Sequence, residues 1–167
     1  MEILLTERYI RSVSTTLYAD FLGDMLNMEK DVIINLTSIN SVDREQSKTE
    51  LTTSGKFKML ENGGFQLRYD ESEVTGFKGS TTCLSFFGNN LVNLKRTGTA
   101  SSELILEKDK KHHCHYGTPY GDFTMGIFTH CIDNNIDSDG GELYLKYTVD
   151  INSSYVSDNE IYIKITD

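Results

Sequence analysis

The chain has 167 residues, 38% of them hydrophobic and 25% charged, with one Pro against eight Phe and nine Tyr. That is enough apolar mass for one ordinary domain with its own core, and it excludes a disordered chain. Lys and Arg number 16 against 25 Asp and Glu, a formal net charge of -9, so the global electrostatic footprint of a nucleic-acid binder is missing.

The first thirty residues read differently from the rest. Leu17, Phe21 and Met25, with Leu22 and Leu26 beside them, recur at three- to four-residue spacing, which predicts a helix in an N-terminal extension over residues 1–30, with Ser14 or Thr15 as its cap. Three consecutive apolar residues after Met1-Glu2 are too few for a signal peptide, and no later run approaches membrane-spanning length.

From Asp31 to the C-terminus, residues 31–167, the hydrophobic period is two. The runs are Val32 to Thr37, Thr49 to Met59, Phe65 to Glu73, Ser80 to Phe87, Leu91 to Thr97, Ser102 to Glu107, His112 to Thr118, Phe123 to Ile132, Glu142 to Ile151 and Val156 to Ile165. Glu61-Asn62-Gly63-Gly64, Gly88-Asn89-Asn90, Thr118-Pro119-Tyr120-Gly121, Asp139-Gly140-Gly141 and Asn152-Ser153-Ser154 separate them and supply the positive φ angles of tight hairpins. Parallel pairing needs crossovers of a dozen or more residues, for which there is no room. Hairpin-linked strands leave exposed edges unless the sheet closes, so the pattern predicts an all-β, up-and-down antiparallel barrel of about eight to ten strands, with a sandwich as the alternative. Leu143, Leu145, Tyr147, Val149 and Ile151 share its inner face, and Ile161, Ile163 and Ile165 repeat the alternation.

Over Asp31 to Ile165 the chain resembles the YwiB-like family of small bacterial proteins, whose barrel is calycin-like, in the manner of lipocalins and streptavidin. The resemblance rests on Glu50-Leu51-Thr52-Thr53-Ser54-Gly55, Tyr69-x-Glu71-Ser72-x-x-x-Thr75-Gly76, Arg96-Thr97-Gly98, Tyr116-Gly117-Thr118-Pro119-Tyr120-Gly121 with Met125-Gly126, and Gly140-Gly141-Glu142-Leu143-x-Leu145-x-Tyr147-x-x-Asp150-Ile151-Asn152. It implies a calycin-like fold for residues 31–167 and assigns no activity.

Cys83, Cys114 and Cys131 lie far apart without a C-x-x-C pair, so neither a disulfide framework nor a zinc knuckle is signalled, and a reducing cytoplasm is the expected compartment. His112-His113-Cys114-His115 and His130 invite a zinc reading. A hairpin turning at Pro119-Tyr120 would, however, set residue 115 near 124 and 113 near 126, leaving His130 several residues away, so a solvated strand face is the better account and no metal is expected. Asn135-x-Asp137-x-Asp139-Gly140 opens like a calcium loop, but its twelfth position is Lys146, which makes it a hairpin turn.

Charged residues on inner faces are the sharper signal, because burying an unpaired charge is costly. Arg96 follows Val92 and Leu94 at spacing two, and Glu71 follows Phe65, Leu67 and Tyr69, so both should point inward. Either they pair with each other, or Arg96, Glu71, Tyr69, Tyr116, Tyr120 and Thr129 furnish a small-molecule site at a polar barrel end, in which an anionic ligand would suit Arg96. No G-x-S-x-G elbow, phosphate loop or dinucleotide fingerprint occurs, so the catalytic residues are undefined and no cofactor is called for; were the chain an enzyme, Glu71 or Glu73 would be the proton-transfer candidate. The readings in play are a cytoplasmic barrel binding a small amphipathic or anionic molecule and a non-catalytic interaction module that self-associates, as a homodimer, through the N-terminal helix or a barrel face. An enzyme or a single-strand nucleic-acid binder is less favoured, since Lys108, Lys110 and Lys111 form the basic run that the latter would need and read as a hairpin end.

Overall fold

A computed structural model gives the structure, and residues 28–88, 90–118 and 121–167 are described, those at 116–118 and 121–123 by backbone alone. Every element is a strand: β1 (Lys30–Val42), β2 (Glu45–Met59), β3 (Phe65–Asp70), β4 (Ser80–Phe86), β5 (Leu91–Gly98), β6 (Ser101–Glu107), β7 (Lys111–Thr118), β8 (Gly121–Asp137), β9 (Gly140–Ile151) and β10 (Ser154–Thr166). Consecutive strands pair antiparallel, and β1 pairs with β10 to close a ten-stranded barrel. No helix occurs among the described residues, and the helix expected over Leu17–Leu26 lies outside them.

Each of the ten expected runs falls on its own strand, because alternation records which residues must face the lumen. The ends differ where the core does not reach. β1 and β2 continue past Thr37 and before Thr49 to a two-residue turn, with Val42 opposite Glu45 and Asp43 at φ 54°. That outer half carries no apolar alternation, since ladder hydrogen bonds and polar contacts hold it, such as the Asn40 amide donating to Asn159 Oδ1 at 2.8 Å. β8 runs on to Asp137 for a different reason, since Ile136 is still buried in the core, and the Asn135–Gly140 segment is a hairpin with Asp137 opposite Gly140 and Gly140 at φ 113°. β3 stops at Asp70, short of the expected Glu73.

The lumen is filled along most of its length. Phe57, Phe65, Leu67, Leu84, Leu106 and Ile127 are fully buried, and the Phe65 ring lies 5.6 Å from Phe86 and 5.9 Å from Phe57. Up-and-down winding sends the β1–β2, β3–β4, β5–β6, β7–β8 and β9–β10 connections to one end, here the upper end, while Lys30 and Thr166 lie at the lower. No helix among the described residues is long and apolar enough to cross a membrane.

Candidate functional site

The upper end is where the core becomes polar. Pairing sets Tyr69 opposite Thr82, Thr82 opposite Arg96, Arg96 opposite Ser102, and Ser102 opposite Tyr116, one cross-strand row over β3 to β7. Thr82 is fully buried and Ser102 nearly so, so the row from Tyr69 to Ser102 faces the lumen. Gly55 faces Tyr69 from β2, and a Cβ there would lie 2.4 Å from Ile34 Cδ1 and 2.6 Å from the Arg68 carbonyl oxygen, so this glycine makes room where the strands draw close.

Arg96 and Glu71 meet inside. Their side chains are 14% and 1% exposed, and Arg96 Nε and Nη2 each lie 3.1 Å from Glu71 Oε1, which also accepts a hydrogen bond from the Thr82 hydroxyl. Glu71 sits just beyond β3, fixed by its N–H donating to the Ser80 carbonyl at 2.8 Å. The connection that it begins, residues 71–79, crosses the barrel mouth. Thr75 donates to the Ser72 carbonyl at 3.0 Å and Thr99 to the Lys78 carbonyl at 2.8 Å, tying that strap to itself and to the β5–β6 turn. Gly76 and Gly79, at φ 79° and 85°, allow its bends. The strap lays Phe77 over Arg96, with the guanidinium carbon 3.7 Å from the ring centroid.

Below the strap is a cavity of about 120 Å³. Leu36, Leu94, Ile161 and Ile163 form its aliphatic walls, Ser38, Thr49 and Thr75 add polar groups, and Tyr69, Glu71, Phe77 and Arg96 form its charged and aromatic side. Burial, reinforced by the nearby Glu71 carboxylate, pushes the Tyr69 hydroxyl well above the usual tyrosine range. Burial likewise lifts Tyr147 to about 12, against the pull of Arg96. Both stay protonated near neutrality as hydrogen-bond donors.

Of the residues expected at the site, Arg96, Glu71 and Tyr69 come together. Tyr116 shares their cross-strand row, Tyr120 lies outside the described residues, and Thr129 does not line the cavity. Thr129 is fully buried opposite Tyr147, with Oγ1 lacking a partner among the described residues. The alternation in Ser80, Thr82 and Leu84 carried the signal for Thr82; Phe77 lies in a connection without period and had none.

The histidines stay apart. His112 Nε2 lies 2.9 Å from Glu107 Oε2, His113 is paired with Gly126 and His115 with Thr124, and His130 Nε2 is 2.6 Å from Thr148 Oγ1. No three His, Cys, Asp or Glu side chains gather to hold a metal ion among the described residues. Thr148 donates to Asp158 Oδ1 at 2.7 Å, so its proton faces a carboxylate and its oxygen accepts from His130, the reverse of an activated nucleophile. On the outer face of β8, β9, β10 and β1, a groove of about 500 Å³ runs beside Tyr144 and Tyr162. Their ring centroids are 4.6 Å apart and both hydroxyls donate to Glu160 Oε2, which holds the Glu160 carboxyl below its usual range.

Fold and site define a closed, ten-stranded up-and-down barrel with a filled lumen and one polar, strapped mouth. The chain belongs to the family described as "Domain of unknown function (DUF1934)", which matches residues 34–163. The crystal structure of the ywiB protein from Bacillus subtilis has the same fold, with a TM-score of 0.67 at 15% identity over 86% of this chain and 97% of that one. No curated protein matches the chain.

Proposed function

We propose that this protein is a non-catalytic binding barrel that accepts a compact amphipathic molecule in the cavity at its upper end. The observation that carries the reading is the cavity itself, in which one side holds a buried ion pair and a tyrosine hydroxyl and the other is aliphatic. A few placed polar groups on an apolar wall orient a small ligand. At about 120 Å³ the space is well below the roughly 300 Å³ at which drug-sized pockets begin, so the ligand is small. Three free thiols suit a reducing cytoplasm as its setting. The test is a small-fragment titration followed by protein NMR on the full chain and on Ser38→Phe, which fills the cavity. Saturable shifts around Thr82 and Arg96 that vanish in Ser38→Phe support the reading; a library without one saturable binder refutes it.

The outer groove favours a second reading, self-association through the barrel face. Tyr162 and Ile33 are each 43% exposed on that face, and a second copy of the chain would cover them. Light scattering of the full chain and of Tyr162→Glu decides it: a dimer that becomes monomeric supports the reading, and a wild-type monomer at high concentration removes it.

A further inference from the structure

We infer that the occupant of the upper cavity is electrically neutral, a short molecule with one uncharged hydrogen-bonding head, such as a primary amide, and a brief aliphatic tail. The inference rests on the binding reading and gives it a ligand class. An arginine in a pocket ordinarily suggests an anion, but Arg96 does not meet the ligand alone. Its Nε and Nη2 both lie 3.1 Å from Glu71 Oε1, and these two are the charged side chains that line the space. The pair sums to zero.

An entering carboxylate would leave its hydration and then meet attraction from Arg96 and repulsion from Glu71 at similar range, so the ion gains little in return for desolvation. An ammonium meets the same balance with the signs exchanged. A neutral head has no such penalty and needs donors and acceptors in the same small space. Ser38 and Thr49 offer hydroxyls of both kinds, and the Tyr69 hydroxyl is kept protonated by its burial. Ile161 and Ile163 on β10, the strand opposite β5 in the barrel, accept a tail of a few carbons with Leu36 beside them, and the volume of about 120 Å³ admits no more.

Propionamide, propionate and propylammonium have nearly the same size and differ in charge, so they form the probe series. Each is titrated into the full chain at neutral pH, with the amide resonances of Thr82 and Arg96 as the readout. Propionamide is expected to bind at least tenfold more tightly than either ion. An ion that binds within tenfold of the amide, or more tightly, overturns the neutral class while leaving the cavity as a binding site. If none of the three shifts those resonances, the binding reading itself falls. Glu71→Gln leaves Arg96 uncompensated and is expected to reverse the order in favour of propionate; an unchanged order in that variant also overturns the inference. Should Glu71→Gln fail to fold, the wild-type series decides alone.

Discussion

At the scale of single residues, the Glu71–Arg96 pair sets the terms for the upper end of the barrel. Glu71 is buried and Arg96 largely so, and three donors converge on Glu71 Oε1. Removing one partner strands the other charge out of water, so Arg96→Ala or Glu71→Ala should lose about 3–5 kcal/mol in urea unfolding. The double variant Glu71→Met with Arg96→Met should lose less than either, because no charge is left unpaired. A double variant weaker than both singles would show that the pair is a net source of stability. Tyrosine supplies a second residue-scale prediction. Folding holds Tyr147 protonated to about 12 and raises Tyr69 by burial as well, whereas the unfolded chain ionises near 10. Their contribution is therefore whole below pH 10 and is lost as pH rises through the folded values, so stability should fall between about pH 10 and 12. The chain has no Trp, which leaves tyrosinate absorbance unobscured. Tyr147→Phe should flatten that alkaline loss; an unchanged slope would mean that Tyr147 ionises without opening the barrel.

At the scale of elements, two glycines with different surroundings separate steric room from backbone conformation. Gly55 lies mid-strand, where a side chain would strike Ile34 and the Arg68 carbonyl, so Gly55→Val should destabilise by roughly 1–3 kcal/mol or more through overpacking. Gly76 has open space but a φ of 79°, so Gly76→Ala should cost about 1–2 kcal/mol through the left-handed backbone, centred on the strap rather than the core. Thermal unfolding ranks the two. Strand positions were legible because inward residues repeat every second place: Leu143, Leu145, Tyr147 and Val149 are all buried as their alternation requires. The outer half of the β1–β2 hairpin was not legible, since the inward Ser38 is polar and Ile39 to Lys48 show no apolar alternation for a pattern to mark. Arg96 and Glu71 were legible as inward charges by the same rule. Phe77 was not, because a strap residue has no period.

At the scale of the molecule, closure is the feature that every strand depends on. Ile34 pairs with Ile165 and Ser41 with Asp158, contacts between the two ends of the barrel sequence. Such distant pairing makes folding slow for the chain's size, in the millisecond-to-second range. Deleting β10 (Ser154–Thr166) would part β1 from β9, bare the buried faces of Ile34 and Leu145, and abolish a cooperative urea transition; a truncated chain that still unfolds sharply would mean that the open sheet is stable by itself.

By itself the sequence determined the all-β class, the strands and which residues of each turn inward, since alternation is a local record of burial that each strand carries alone. Tertiary structure decided what those inward residues meet. That Arg96 reaches Glu71 and Thr82, that Phe77 covers them, and that about 120 Å³ is left beneath depends on the register of strands far apart in the chain, summed around a closed barrel. A slip of one residue in any pairing would turn that strand's inner face outward, and no single strand's pattern specifies which neighbour will hold it in place.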